Sequence, residues 1–312
     1  MNGFGIGVPV FAQPNFLATV LRGLIRNSRL KNRILVVWSD PAHQGESQAK
    51  DYLSDYDGFI KTGKLTPYQK YSSVQDYMER NADFIAQNNI EFLDVTERCG
   101  AFMEEYKAGK VWKGSAVKPA PGVWEGGQDI AFKDNISIEV LGETCEWIMT
   151  NYDCDFYPSP GWDEVLMGVT AKVPRRSIVV PVQMQPMEFD ELPQWGDIWN
   201  DCRAIACARL TMPIPRRSGN VTTDEEMEEF FKKTAQDVIL KERPGRREYL
   251  HHFPVLYRTE ELKDVIGPYN YQGAGYDLEI DDRCGYLGFT KYTPRNAWCQ
   301  HKCYVAVRPE EV

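Results

Sequence analysis

The chain has 312 residues, of which 43% are hydrophobic, and its formal net charge is -9 at pH 7. This length and composition allow a full hydrophobic core in one large domain, and nothing in them indicates intrinsic disorder. The acidic net charge argues against a general polyanion-binding protein, because such proteins need an excess of lysine and arginine.

The longest apolar runs are well short of the ~18–20 residues that a membrane-spanning helix requires. The first residues also lack the basic-then-apolar pattern of a signal peptide. We therefore predict a cytoplasmic protein without a membrane anchor, whose eight cysteines are free thiols. Cys299, His301 and Cys303 alternate along one predicted strand, but a structural zinc site normally has a fourth ligand.

The first forty residues predict a strand, a helix and a second strand. Residues 4–11 mix β-branched, aromatic and glycine residues and are interrupted by Pro9. Asn15 is the predicted N-cap of a helix, since apolar residues recur behind it at helical spacing. Ile34–Trp38 is a continuous apolar run, typical of a strand buried in a parallel sheet. This order predicts a βαβ unit with a right-handed crossover.

Residues 41–130 are predicted to be an insertion, because aromatic residues are scattered there among charged ones. Helices are predicted over 77–85 and 92–106. A loop rich in proline and glycine is predicted over 117–127.

An acid-x-acid triplet follows the next predicted strand. A helix is predicted over 133–145, then a strand over 147–152, which leads directly into Asp153 and Asp155. Two carboxylates at the mouth of a strand can hold a hard divalent cation, and such cations readily share substrate phosphates. The triplet therefore indicates a metal–diphosphate site, although two neighbouring acids are also typical of a solvated turn.

Residues 184–248 are predicted to be a second insertion, in which aromatic side chains could stack on sugars or bases or could form a local core. Arginine pairs recur in the second half of the chain. If these pairs converge, they would form a track for phosphates, whereas the simpler interpretation is solvated loop arginines. The aromatic residues are Phe189, Trp195 and Trp199, and the arginine pairs are at 175–176, 216–217 and 246–247.

An acidic segment begins after Gly275. On a helix, Asp277 and Asp281 share a face while Glu279 points elsewhere, so their roles should differ. The alternative is a solvated acidic helix start, which the helix dipole favours. A predicted strand then ends at His301.

These features resemble those of the family 2 glycosyltransferases, which have the GT-A fold and use nucleotide-diphosphate sugars. The resemblance covers residues 1–40, 130–170 and 250–305 in the family's order. It implies an α/β protein with a Rossmann-like mixed central sheet flanked by helices and carrying insertions. Residues 1–312 would form a single GT-A-type catalytic domain, with 184–248 on the acceptor side.

The resemblance also implies roles for individual residues. Asp277 falls on the catalytic base, and Asp155 on the ligand of a divalent metal, Mn²⁺ or Mg²⁺, which Asp153 and His301 would also help to hold. The sequence departs from the family at Trp38 and Ser39, where an acid is usual. The residues implied to bind the donor are Pro9, Phe11, Asp40, Lys133 and Asp153.

The predicted reaction is the inverting transfer of a hexosyl or pentosyl group from a nucleotide-diphosphate sugar to an acceptor hydroxyl. Resemblance to virus-encoded sugar transferases would make the acceptor DNA with a modified base, while a saccharide, a lipid-linked glycan or a protein stays open. A nucleotidyltransferase is an alternative, but residues 12–14 are not its Gly-rich phosphate loop. The second alternative is a non-catalytic module that binds carbohydrate or nucleic acid.

Overall fold

The computed structural model of the chain describes residues 3–10, 14–40, 54–55, 70–108, 126–150, 152, 156–184, 239–242, 254–270, 276–294, 296–301 and 306–307.

The predicted βαβ unit is present at the start of the chain. Strand β1 (Gly5–Val10) and strand β2 (Arg33–Trp38) are parallel, and helix α1 (Pro14–Asn27) connects them. Every residue of β1 is buried. The apolar face of α1 packs into the same core, because its apolar residues recur at helical spacing.

The predicted N-cap of α1 is wrong. The helix begins at Pro14, a residue that suits the first helical turn because it has no N–H to leave unsatisfied. Asn15 lies inside the helix, fully buried, and its amide binds another segment. Its Oδ1 accepts hydrogen bonds from the N–H groups of Lys70 (2.7 Å) and Tyr71 (2.9 Å), and its Nδ2 donates to the Tyr71 carbonyl.

The central sheet has eight strands in the order β4-β2-β1-β5-β10-β7-β11-β9. The neighbours β4, β2, β1 and β5 are parallel, whereas β10 is antiparallel to both β5 and β7, and β9 is antiparallel to β11. The predicted mixed central sheet with flanking helices is therefore confirmed. The bounds of the remaining strands are β4 Glu91–Asp94, β5 Trp147–Thr150, β7 Ser177–Val179, β9 Ile239–Glu242, β10 Val255–Arg258 and β11 Thr290–Pro294.

Two smaller sheets complete the described strands. Strand β12 (Trp298–His301) lies between β6 (Phe156–Pro158) and β8 (Val182–Met184). Strand β13 (Ala306–Val307) pairs with β3 (Ser54–Asp55).

Helices cover both faces of the central sheet. Part of the predicted helix over 92–106 is wrong, because Glu91–Asp94 is strand β4 at the edge of the sheet and the helix starts only at Thr96. The end residues of β4, Glu91 and Asp94, are exposed and the two between them are half-buried, which suits an edge strand. The remaining helices are α2 Val74–Arg80, α3 Ala82–Gln87, α4 Thr96–Lys107, α5 Gly126–Leu141, α6 Trp162–Thr170, α7 Thr259–Glu261 with the π-helical turn Leu262–Ile266, and α8 Tyr276–Tyr286.

Helix α5 occupies a central place between two packed clusters. On one side Ile136 and Leu141 pack with residues of β2 and β5. On another side Ala131 and Ile138 pack with Tyr257, Tyr269 and residues of α8. Helix α5 therefore buries apolar residues on two sides, as expected of a helix enclosed within a domain.

Candidate active site

The candidate site lies at the carboxyl ends of the parallel strands, where ligands bind in open α/β sheets. The parallel register places Val10 beside Trp38, and Trp38 beside Asp94. Between described residues, β1 pairs with β5 at Gly5 and Ile6, and the carboxyl half of β1 pairs with β2.

Two of the predicted donor-binding residues, Pro9 and Asp40, lie at this edge of the sheet. Pro9 is buried in β1, opposite Val37 of β2. Asp40 is exposed just after β2, and its backbone N–H donates to Thr96 Oγ1 at 2.9 Å. Phe11 lies outside the described residues.

Lys133 lies beneath this edge in a buried ion pair. Its Nζ is 2.5 Å from Asp129 Oδ2, one helical turn earlier on α5, and donates to the Val10 carbonyl at 2.5 Å. Both side chains are fully buried. Removing one partner of such a pair destabilises a protein by about 3–5 kcal/mol, because the other charge is left uncompensated. The predicted contact of Lys133 with the donor stays a prediction, and the described contacts are those with Asp129 and Val10.

A thiol completes this buried group. Cys99 Sγ lies 3.2 Å from Asp129 Oδ1. Burial is the main cause that raises the pKa of the Cys99 thiol to about 12, and the Asp129 carboxylate raises it further. Cys99 is therefore a neutral donor to the carboxylate. Sequence inspection missed Asp129 and Cys99, although the four-residue spacing of Asp129 and Lys133 on a helix is a recognisable ion-pair signal.

Asn135, two residues beyond Lys133, holds a different segment. Its Oδ1 accepts a hydrogen bond from the Tyr269 N–H at 2.7 Å, and its Nδ2 donates to the Tyr269 carbonyl at 3.0 Å. The Tyr269 hydroxyl is 2.7 Å from Thr150 Oγ1, at the carboxyl end of β5. Burial, followed by the nearby Asp134 carboxylate, raises the pKa of the Tyr269 hydroxyl well above its ordinary value, so this group stays protonated.

The acid triplet itself, with Asp153 and Asp155, lies outside the described residues. The buried Tyr152 precedes it and the buried Phe156 follows it. The register of the small sheet pairs Phe156 with His301, so the backbone of His301 lies opposite the residue that follows Asp155. Within the described ranges, no group of three His, Cys, Asp or Glu side chains could hold a metal ion. The predicted metal ligands stay predictions.

The predicted helical start of the acidic segment is present as α8, in which Asp277 is the second residue. Its role as a base stays a prediction. Glu279, the next acid, forms an ion pair with Arg283. Arg283 also donates to the carbonyls of Ile266 and Pro268, each at 2.8 Å. Arg283, in the last turn of α8, thereby attaches this helix to the segment that Asn135 holds.

The described arginine pair is engaged in contacts within the chain. Arg175 forms an exposed ion pair with Glu260 at 3.1 Å. The Arg176 N–H donates to Glu261 Oε1 at 2.8 Å and its guanidinium donates to the Leu287 carbonyl at 3.1 Å. The pairs at 216–217 and 246–247, and the aromatic residues over 189–199, lie outside the described residues.

Two described cavities lie at the opposite edge of the sheet. One, of about 680 Å³, is lined by residues at the amino ends of β1, β2 and β5, including Phe4, Arg33 and Trp147. The other, of about 480 Å³, is lined by Arg258, Lys263 and their neighbours. Neither cavity is lined by Lys133 or Asn135, so neither belongs to the candidate site.

The chain is similar to two solved structures. One is S. aureus TarS 1-349, at 12% identity and a TM-score of 0.46, covering 100% of this chain and 62% of that chain. The other is GalNAc-T7 with UDP, GalNAc and Mn²⁺, at 10% identity and a TM-score of 0.48, covering 99% of this chain and 45% of that chain. The chain thus spans less than two thirds of either structure.

No protein-family model and no curated protein sequence matches the chain.

Among the helices that the structure describes, none has the length and apolar content needed to cross a membrane.

Proposed function

We propose that the protein is a GT-A-type, metal-dependent glycosyltransferase that moves a sugar from a nucleotide-diphosphate donor to an acceptor hydroxyl with inversion at the anomeric carbon. The observation that supports this best is the set of contacts made by α5 at the carboxyl edge of the sheet. Lys133 binds the end of β1, and Asn135 binds the segment that leads to α8 and touches the end of β5. These are the segments that carry the predicted donor-binding, metal-binding and base residues.

The donor would lie at the carboxyl ends of β1 and β2, against Pro9, Phe11 and Asp40. Asp153 and Asp155, with His301, would hold Mn²⁺ or Mg²⁺, since carboxylate oxygens suit these ions. When bound, the metal would neutralise the negative charge of the departing diphosphate.

Asp277 would accept the proton of the acceptor hydroxyl as its oxygen attacks the anomeric carbon from the side opposite the leaving group. A carboxylate of ordinary pKa can do this, because proton transfer need only accompany the attack. The pairing of Glu279 with Arg283 leaves Glu279 a structural role at the start of α8. The acceptor class, including DNA with a modified base, is part of the proposal to be tested.

Calorimetry tests donor and metal binding together. The protein is titrated with UDP, GDP, CDP, ADP and dTDP, each with and without MnCl₂. We expect one nucleoside diphosphate to bind in the presence of Mn²⁺ and to bind at least tenfold more weakly without it or in an Asp155→Asn variant. Equal binding with and without Mn²⁺ would contradict metal dependence, and no binding of any of them would contradict the transferase assignment.

The base is tested with a matched pair of variants on α8. Asp277→Asn should reduce transfer by a factor of about 10²–10⁴, the usual contribution of a positioned general base, while nucleotide affinity is unchanged. Asp282→Asn removes an exposed acid of the same helix and should leave transfer near its normal rate. Similar rates for the two variants would show that Asp277 is not the base.

The acceptor is tested by a gel-shift titration with duplex and single-stranded DNA at increasing salt. A DNA-modifying transferase should bind at low salt. Its affinity should fall as the salt concentration rises, because protein binding releases counterions from the phosphates and this release is less favourable at high salt. Absence of binding at low salt would remove DNA and leave saccharide, lipid-linked glycan or protein acceptors.

A further inference from the structure

Helix α5 contacts two distant segments through residues that are two positions apart in the chain. Residues i and i+2 of an α-helix point roughly 200° apart, so Lys133 and Asn135 face nearly opposite directions. Lys133 reaches the end of β1 and Asn135 reaches Tyr269. The helix is therefore a spacer that sets the separation between the two segments.

The contact with β1 is held rigidly. The Lys133 ammonium is placed between Asp129 Oδ2 and the Val10 carbonyl, at 2.5 Å from each. Both charged side chains are fully buried, and Cys99 donates to the second oxygen of Asp129. Moving the ammonium away from its carboxylate would leave unpaired charges in a low-dielectric interior, which is unfavourable. The group that binds the Val10 carbonyl is therefore held in place.

The contact with Tyr269 fixes both the backbone and the side chain of that residue. Asn135 binds the N–H and the carbonyl of Tyr269 as a backbone partner would, and the Tyr269 hydroxyl is bound to Thr150. Arg283 of α8 binds the carbonyls of Ile266 and Pro268 immediately before Tyr269. A set of hydrogen bonds therefore links α5 to the end of β5 and to Arg283 in the last turn of α8.

We propose that Lys133 and Asn135 are positioning residues with separable effects: Lys133, through Val10, sets the donor-binding end of β1, and Asn135, through Tyr269, sets the placement of α8 relative to β5. This inference rests on the proposed function. Loss of the Lys133 contact weakens nucleotide binding, whereas loss of the Asn135 contact slows turnover with little change in nucleotide affinity. Misplacement of a reacting group by about 1 Å can reduce a rate by about 10²-fold, so a small displacement of α8 is sufficient.

The test combines hydrogen exchange with nucleotide binding in three variants of the full chain. Asn135→Ala removes the contact with Tyr269. The double variant Asp129→Asn with Lys133→Met removes the ion pair as a unit, so that no buried charge is left alone and the protein keeps its fold. Glu139→Ala is the control on the same helix, because Glu139 is exposed and forms a surface ion pair with Arg98.

Each variant has a different expected result. In Asn135→Ala, amide exchange in peptides covering 266–272 accelerates about tenfold or more. The kcat for release of nucleoside diphosphate from the nucleotide sugar falls at least tenfold. The Kd for Mn²⁺-UDP, or for the preferred diphosphate, stays within twofold of that of the unsubstituted protein. In the double variant, exchange accelerates in peptides covering 8–14 and the Kd rises at least tenfold, while exchange over 266–272 is unchanged. Glu139→Ala matches the unsubstituted protein throughout.

The failure of this inference is distinguishable from failure of the proposed function. If both variants accelerate exchange in both regions, or neither does so in its own region, the positioning roles are wrong whatever the protein binds. If the unsubstituted protein binds none of the diphosphates, the proposed function fails, and the exchange pattern still decides whether the two contacts act separately. Should Asn135→Ala not fold, Tyr269→Phe removes the hydroxyl and with it the contact with Thr150. This variant must reduce kcat without altering the Kd, and an unchanged kcat overturns the inference.

Discussion

Replacing Asp163 tests whether one buried carboxylate holds the loop between α1 and β2. Asp163 is fully buried in the first turn of α6, where a negative charge suits the helix dipole. It accepts hydrogen bonds from the N–H groups of Arg29 (3.0 Å) and Leu30 (2.8 Å) and from Asn32 Nδ2 (2.9 Å). All three donors belong to the connection that closes the βαβ unit.

Asp163→Ala would leave these three donors without their acceptor. An unsatisfied donor costs about 1–3 kcal/mol, and because the donors are only partly buried, water can reach some of them, so the low end applies. We expect a loss of about 3–4 kcal/mol in the free energy of unfolding, a large share of the ~5–15 kcal/mol that a domain has.

The measurement is a urea titration followed by tryptophan fluorescence, since buried Trp162 precedes Asp163 and its Nε1 donates to Ser28 Oγ at 3.1 Å. Glu164→Ala is the control: this neighbour forms an exposed ion pair with Arg29 at 3.3 Å, and we expect it to cost only about 0–1 kcal/mol. If the two variants unfold within about 1 kcal/mol of each other, the argument from unsatisfied donors is refuted.

Three further predictions concern packing, thiol reactivity and pH. Gly7→Ala should destabilise the protein by about 1–3 kcal/mol, because a Cβ on Gly7 would lie 2.5 Å from Ser137 Cβ on α5. Iodoacetamide should label half-buried Cys145, which lines the larger cavity, before any other described cysteine, since those are buried. The hydrogen bond from Arg33 lowers the pKa of Glu91 from its ordinary value of 4.5. The stability that this pair contributes is therefore present above pH 4.5 and is lost as the pH falls through the lowered pKa.

Each of these has its own control. Ser137→Gly should recover much of the stability of Gly7→Ala, and a double variant no better than the single one would contradict the clash. Peptide mapping after labelling identifies the modified thiol, and equal labelling of buried Cys284 in the native protein would contradict the order. Glu91→Gln should flatten the pH dependence of unfolding below pH 4.5 by no more than ~1 kcal/mol, because the pair is partly exposed, and an unaltered profile would show that the pair contributes nothing.

Local patterns in the sequence determined the parts of the fold that local forces control. The apolar run at Ile34–Trp38 and the helical spacing behind Asn15 predicted the βαβ unit, because burial of a periodic apolar face depends on residues close in the chain. The acidic residues after Gly275 suited a helix start, because the helix dipole favours carboxylates there, and α8 begins at Tyr276.

Tertiary contacts decided the features that local patterns missed. Asn15 looks like an N-cap by its position in the chain, but its amide is satisfied by the backbone of Lys70 and Tyr71, 55 and 56 residues away. Glu91–Asp94 has only four residues, of which Phe92 and Leu93 are apolar, and it becomes a strand because the open edge of β2 offers it backbone partners.

The candidate site shows the same division most clearly. The sequence alone brought Lys133, the acid triplet and Asp277 to notice as separate motifs, and the four-residue spacing of Asp129 and Lys133 was visible in it. The contacts of Lys133 with Val10 and of Asn135 with Tyr269 span 123 and 134 residues of chain, so only the folded structure could pair them. The physical reason is that a buried hydrogen-bonding group must find a partner in three dimensions, and the packing of α5 against the sheet decides which partner is within reach.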